Sequence, residues 1–166
     1  MTHTAVALED LLIDFDLTAS KWKEFFAANP AAEEIPTDIA NSGNVGGLAW
    51  HLYMASAVHS QRLLGEPVTN FGAISPVKNM AGAWDLHTLG SANLRRFLDG
   101  ANDRTLDEAI RFVTRSGGEV VVARRKLCLH VFVHAIRHWA QIGPLARQNG
   151  FSVGWPQDIL FSSAIP

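Results

Sequence analysis

The sequence has a single cysteine, little net charge and no long apolar run. One thiol cannot form a disulfide within the chain, so a hydrophobic core must hold the fold together. No uninterrupted apolar stretch approaches the roughly 20 residues that a membrane-spanning helix needs. A formal net charge of -2 without a basic stripe gives no electrostatic footprint for nucleic acid or for an anionic membrane surface. The N-terminal residues lack the basic-then-apolar order of a signal peptide, so we expect a cytoplasmic protein.

The composition is that of an ordinary globular protein. The 166 residues are 48% hydrophobic and 18% charged, which predicts one domain spanning 1–166. The chain contains no internal repeat and no low-complexity segment. Its one cysteine, Cys128, lies among apolar residues, and we interpret it as a small core residue.

Four segments place apolar residues at helical spacing, and they predict an all-α fold. They are 4–28, 44–64, a segment from Ser75-Pro76 to about 98, and 126–149. Asn44 is the predicted cap of the second helix, and a capping serine followed by proline predicts the start of the third. We expect the third helix to be a bundle helix, because its apolar residues follow the corresponding spacing.

Between the third and fourth helices, two β-branched runs flank Ser116-Gly117-Gly118 and predict a small hairpin near 111–122. A two-stranded hairpin is marginal alone, so it should pack against the helices or another subunit. The segment after Gly150 contains Phe151, Trp155 and the apolar run 159–161, and we expect it to pack back on the helices.

The fourth segment contains three histidines, His130, His134 and His138, each four residues from the next. Four residues advance a helix by about 400°, so successive imidazoles lie only about 40° apart on one stripe. Two histidines at this spacing can bind one metal ion. Because three lie in register among apolar residues, we interpret the stripe as a candidate metal site.

A third ligand from outside this helix would come from the second helix, which contains His51 and His59. The two are separated by about 12 Å along the helix axis at roughly 1.5 Å per residue. They therefore cannot share one ion, and residue pattern alone leaves the choice between them open.

The chain resembles the DinB-like superfamily, which includes the YfiT-type thiol transferases. The resemblance rests on three stretches, which are LAWHLYMASAVHSQRLLG, HVFVHAIRHWAQIGPLARQNG and WPQDILF. The second of these is similar to the family pattern H-x-x-N-H-x-x-x-H-R-G-Q. The first contains the family's helix-two histidine, and the third is similar to its Pro-x-Asp-Leu-Leu-Phe tail.

The resemblance implies a four-helix bundle with long crossover connections, a divalent metal, typically zinc or nickel, and often a homodimer. The implied ligands are His51, His134 and His138, so the resemblance selects His51 over His59. His130 and Gln141 would then be second-shell or pocket groups. The family's Arg-Gly after the last histidine is replaced here by Trp139-Ala140, which leaves any anion-binding role of that arginine open.

A site of three imidazoles leaves a coordination position for water or substrate. We therefore expect a metal-dependent enzyme that activates water or a low-molecular-weight thiol for transfer to a small-molecule substrate. The alternative is a non-catalytic metal- or ligand-binding protein of the stress response. Neither 45–64 nor 127–150 contains Asp or Glu, so no general base can be assigned and the catalytic residues stay unknown.

Overall fold

We describe the fold from a computed structural model, which covers residues 6–74, 77–114 and 118–165. In these ranges the chain is mostly helical, as predicted. The helices are α1 (Leu8–Ala28), α2 (Val45–Leu64), α3 (Phe71–Ile74), α4 (Met80–Gly100), α5 (Asp103–Asp107) and α6 (Arg124–Gln148). The four long helices are α1, α2, α4 and α6, and they correspond to the four segments predicted from apolar spacing.

The ends of α2 are where the sequence predicted them. The side chain of Asn44 accepts a hydrogen bond from the backbone N–H of Gly47 at 2.8 Å, which satisfies a donor of the first turn. At the other end Gly65 has φ 71, a left-handed conformation that glycine adopts without a steric penalty. These two residues fix the length of the helix on which His51 and His59 lie.

The predicted start of the third long helix at Ser75-Pro76 is wrong. That pair lies outside the described residues, but residues 77–79 are not helical and α4 begins at Met80. Asn79 is the cap, because its side chain accepts a hydrogen bond from the first turn. A carboxylate oxygen of Glu33 accepts a second bond from the Met80 N–H at 2.8 Å. This contact with a distant residue is invisible in the local sequence.

The predicted hairpin is confirmed. Strand β3 (Ala109–Thr114) pairs antiparallel with β4 (Gly118–Ala123), and the turn residues 115–117 lie outside the described ranges. Because β4 leads directly into α6, that helix begins two residues before the predicted 126. A second, smaller hairpin after α1 pairs β1 (Pro36–Thr37) with β2 (Gly43–Asn44). Its strands are too short to produce an alternating pattern, so the sequence did not reveal it.

The hydrophobic core lies between the long helices. Helix α2 packs against α4 and α6, and α1 packs against the same two. Trp22, Tyr53 and Phe132 are among the largest fully buried side chains. Cys128 is also fully buried, as its apolar surroundings predicted, and burial raises the pKa of its thiol to about 12.

The C-terminal segment packs back only in part. Phe151, Val153 and Trp155 contact the core, as predicted. The following turn, Ile159–Phe161, stays largely exposed, and Leu160 reaches 80% exposure. The prediction is therefore wrong for this turn in the single chain. In the described ranges, no helix combines the length and the hydropathy required to cross a membrane.

Candidate metal centre

Three histidines from two helices converge on one point. His51 lies on α2, and His134 and His138 lie on α6. One ring nitrogen from each lies within 4.8 Å of the others, so the three side chains could hold a metal ion. Among the residues that the structure describes, no other group of three His, Cys, Asp or Glu residues meets this condition.

The convergence follows from the local sequence and from the packing of α2 against α6. The four-residue spacing puts His134 and His138 one above the other on α6, with ring centroids 4.5 Å apart. The buried neighbours Ala135 and Trp139 turn the adjacent face of this helix toward the core. On α2, His51 then lies opposite the pair, and its ring centroid is 5.4 Å from that of His134 and 5.2 Å from that of His138.

The distance between the two α6 ligand atoms suits one ion. Nε2 of His134 lies 3.2 Å from Nε2 of His138. Two nitrogens bound to one tetrahedral zinc ion at about 2.0–2.1 Å would lie roughly 3.3 Å apart. The α6 pair therefore has the spacing of a chelating pair without any change of helix geometry.

The imidazoles of α6 are held in the form that binds metals. Burial, together with the neighbouring histidines, lowers the pKa of His134 to about 3. Burial also lowers the pKa of His138, although its hydrogen bond to Gln141 acts in the opposite direction. Both rings are consequently neutral near pH 7, and a neutral imidazole is the metal-binding species.

Gln141 determines which nitrogen of His138 faces the site. Its Oε1 lies 2.7 Å from Nδ1 of His138. An amide oxygen can only accept, so Nδ1 carries the proton and Nε2 keeps its lone pair. This is the arrangement in which an outer hydrogen bond orients a ligating histidine. The resemblance to the DinB-like pattern implied that Gln141 is a second-shell or pocket group, and in the structure its side chain contacts His138.

His130 and His59 lie beside the three converging histidines but are not part of them. The ring of His130 is 5.5 Å from that of His134 and 5.3 Å from that of His59. Nη1 of Arg62 lies 3.2 Å from Nδ1 of His59. Burial, the charge of Arg62 and the proximity of His130 lower the pKa of His59 to about 3. The five imidazoles therefore form a continuous row, of which only one end has three converging nitrogens.

His87 contributes to a different cluster, which joins α1 and α4. Its Nε2 lies 3.1 Å from Oδ1 of Asp16 on α1, and Oδ2 of the same carboxylate accepts hydrogen bonds from Ser91 and Arg95. The His87 ring packs against Tyr53 with centroids 4.9 Å apart. This network connects α1 to α4, and no local pattern in the sequence indicates it.

Trp139, which stands where the DinB-like pattern has arginine, is directed into the core. It is 5% exposed and stacks on Trp22 with ring centroids 4.9 Å apart. Its indole N–H and the hydroxyl of Tyr53 are both buried, and neither forms a hydrogen bond of good geometry. Arg137 is exposed. Neither residue places a positive charge between the three histidines.

The DinB family matches residues 5–162, nearly the whole chain, and the protein belongs to that family. Searches of curated proteins and of solved structures gave no significant match. Family membership and the three converging histidines agree with the resemblance found in the sequence.

Proposed function

We propose that this protein binds a divalent metal ion through His51, His134 and His138 and uses it to activate a small molecule. The observation that carries the proposal is the convergence of three ring nitrogens within 4.8 Å, two of them 3.2 Å apart. The donor set fits, because three neutral imidazoles suit zinc or nickel and leave a coordination position for another molecule.

When bound there, such an ion would act as a Lewis acid that lowers the pKa of a water or thiol ligand. The chain's own residues prepare the site. Gln141 holds the His138 ring by its Nδ1 proton, and half-burial of His134 keeps that imidazole neutral. His130 lies one turn away in an exposed position, with its ring 5.5 Å from that of His134, and we propose that it is a pocket group beside the metal. We infer that the reaction is transfer of a low-molecular-weight thiol, or of water, to a small-molecule electrophile.

A second candidate is a non-catalytic metal- or ligand-binding protein of the stress response. One observation favours it: the segments 45–64 and 127–150 contain no Asp or Glu that would act as a general base. The two candidates share the metal site and differ in whether the remaining coordination position is open to a substrate.

Metal analysis of the purified protein tests the shared part. After removal of metal with a chelator and reloading with Zn²⁺ or Ni²⁺, we expect about one ion per chain. His134→Ala and His138→Ala should lose it almost completely and His51→Ala should weaken it severely, because each removes a ligand. His59→Ala is the matched control and should retain the ion. Retention by His138→Ala with loss in His130→Ala would place the ion one turn nearer the start of α6 and contradict the ligand assignment.

A thiol-transfer screen then separates the two candidates. The metal-loaded protein is offered bacillithiol, mycothiol or glutathione with an electrophilic acceptor, and adduct formation is followed by mass spectrometry. Metal-dependent turnover that is lost in His134→Ala supports the enzyme. Tight metal binding without turnover of any thiol or of hydrolysable substrates favours the binding protein.

We further propose that the four long helices form the DinB/YfiT-type bundle with long crossover connections, and that the protein is a cytoplasmic homodimer. Support for the dimer comes from Val6, Leu129 and Leu160, which are 56%, 44% and 80% exposed and line one surface depression. Exposed apolar patches of this kind mark interaction sites.

A further inference from the structure

A second concave site lies between α1, α6 and the C-terminal segment. Its cavity has a volume of about 220 Å³. None of the three converging histidines lines it. We propose that this cavity binds a small molecule built on one aromatic ring that carries a polar substituent.

The inner wall of the cavity is aromatic and preformed. Trp22 and Trp139 stack with an interplanar angle of 11°, and Trp155 packs edge-on against Trp22 at 5.0 Å. Phe15 and Phe132 continue this wall. Trp22, Trp139, Phe15 and Phe132 are at most 5% exposed, so they form the support of the wall and hold Trp155 in place. The half-buried Trp155 keeps accessible aromatic surface, which another ring can contact edge-to-face or offset at little cost in conformational freedom.

The volume limits the size of the ligand. An apolar cavity of about 150 Å³ is known to accept benzene in another protein. The 220 Å³ available here admits one such ring with a small substituent. It is too small for a nucleotide, a peptide segment or a lipid chain, which occupy larger pockets.

The charges at the mouth of the cavity specify a neutral polar group on the ligand. Lys21 and Arg147 lie there, and so do Asp14 and Asp158. Two bases and two acids leave the mouth without a net charge, so it favours neither sign of charge on a ligand and offers both donors and acceptors to a neutral polar group. A hydroxyl or amide substituent matches this rim better than a carboxylate or an ammonium group does.

The roof of the cavity is the C-terminal segment, which approaches α6 closely at Gly143. A Cβ atom at that position would lie 2.3 Å from Oε1 of Gln157. The same Oε1 accepts a hydrogen bond of 3.5 Å from Arg147. The absence of a side chain at Gly143 therefore leaves room for the Gln157 side chain on α6, where it forms part of the cavity lining.

The proposed binding site is independent of the proposed metal. Trp139 follows His138 in the chain but points about 100° away around the helix, so the two sites occupy different faces of α6. Ligand binding in the cavity should consequently persist when the metal is removed, and the failure of either proposal leaves the other intact.

The test uses 4-fluorophenol as the probe and ¹⁹F NMR as the measurement, with the full chain in metal-free and metal-loaded form. We expect saturable broadening of the fluorine signal in both forms and a parallel change in tryptophan fluorescence. Ala140 lines the cavity from an exposed position, so Ala140→Leu should fill it without unfolding the protein. The leucine side chain would displace about two ring carbons of the probe from the cavity, and the loss of their contacts should weaken binding at least about tenfold.

Ala27→Leu is the matched control, because Ala27 is an exposed alanine of α1 outside the cavity lining. It should bind the probe like the wild type, and thermal melts should show that both variants fold. Absence of saturable binding at millimolar probe would overturn the proposal, as would equal affinity in Ala140→Leu. Binding only to the metal-loaded form would place the phenol at the histidines and also overturn it. A change in oligomeric state of Ala140→Leu without probe binding would identify a second copy of the chain as the occupant.

Discussion

Removal of the Gln141 side chain should weaken metal binding without removing a ligand. Gln141 accepts the Nδ1 proton of His138 at 2.7 Å and so directs the Nε2 lone pair to the site. Loss of such an outer hydrogen bond costs about 10- to 100-fold in metal affinity in other proteins. Because Gln141 is exposed and water can replace it, we expect the lower limit for Gln141→Ala, about tenfold or roughly 1.4 kcal/mol.

The assay is competition for Zn²⁺ with a chromophoric chelator at pH 7. Gln141→Glu should bind at least as tightly as the wild type, because a carboxylate accepts the same Nδ1 proton more strongly. Gln148→Ala changes an exposed glutamine at the end of α6 and should leave the affinity unchanged. Equal affinities for Gln141→Ala, Gln148→Ala and the wild type would show that the bond does not orient His138, and the reasoning would fail.

Two further predictions concern stability and assembly. Burial alone would raise the pKa of Asp16, but hydrogen bonds from His87 and Ser91 and the charge of Arg95 lower it overall from its ordinary value of 3.8. Asp16→Asn should therefore lower the free energy of unfolding by about 1–3 kcal/mol at pH 7. Urea titrations should show the difference between variant and wild type narrowing only as the pH falls below 3.8. A difference that is the same at pH 7 and pH 3 would contradict the stabilising role of the ionised Asp16. In sedimentation experiments the wild type should have a mass above the chain mass of 18.1 kDa, and the Leu160→Asp variant should sediment at the chain mass. The control Val68→Asp, in the loop after α2, should sediment like the wild type. A wild type that is monomeric at tens of micromolar would refute the dimer.

Helical spacing was sufficient to predict the α6 half of the site. His134 and His138 are four residues apart, and that interval alone brings their rings together on one helix face. Residue pattern could not choose between His51 and His59, because the choice depends on how α2 lies along α6. The resemblance to the DinB-like pattern supplied that information, and the structure places His51 with the pair.

The remaining features depend on contacts between residues that are far apart in the chain. Glu33, which lies 47 positions before Met80, stabilises the start of α4 together with the cap Asn79. The aromatic cavity exists because Trp155 returns to pack on Trp22. Each of these residues is ordinary in its local sequence, so no window of neighbours indicates its role. The position of His51 and the cavity both depend on contacts between distant residues, and the family pattern indicated only the position of His51.

The two ends of the row of five imidazoles differ in their suitability for a metal ion. At the end near β3, the guanidinium of Arg62 lies 3.2 Å from His59 and 4.5 Å above the ring of Phe112. A divalent cation placed there would be repelled by that fixed positive charge. At the other end His138 is bordered by the neutral acceptor of Gln141, and His51 supplies a third nitrogen. Charge and donor number therefore favour the same end of the row, and both support the proposal that an ion binds at His51, His134 and His138 and not at His59.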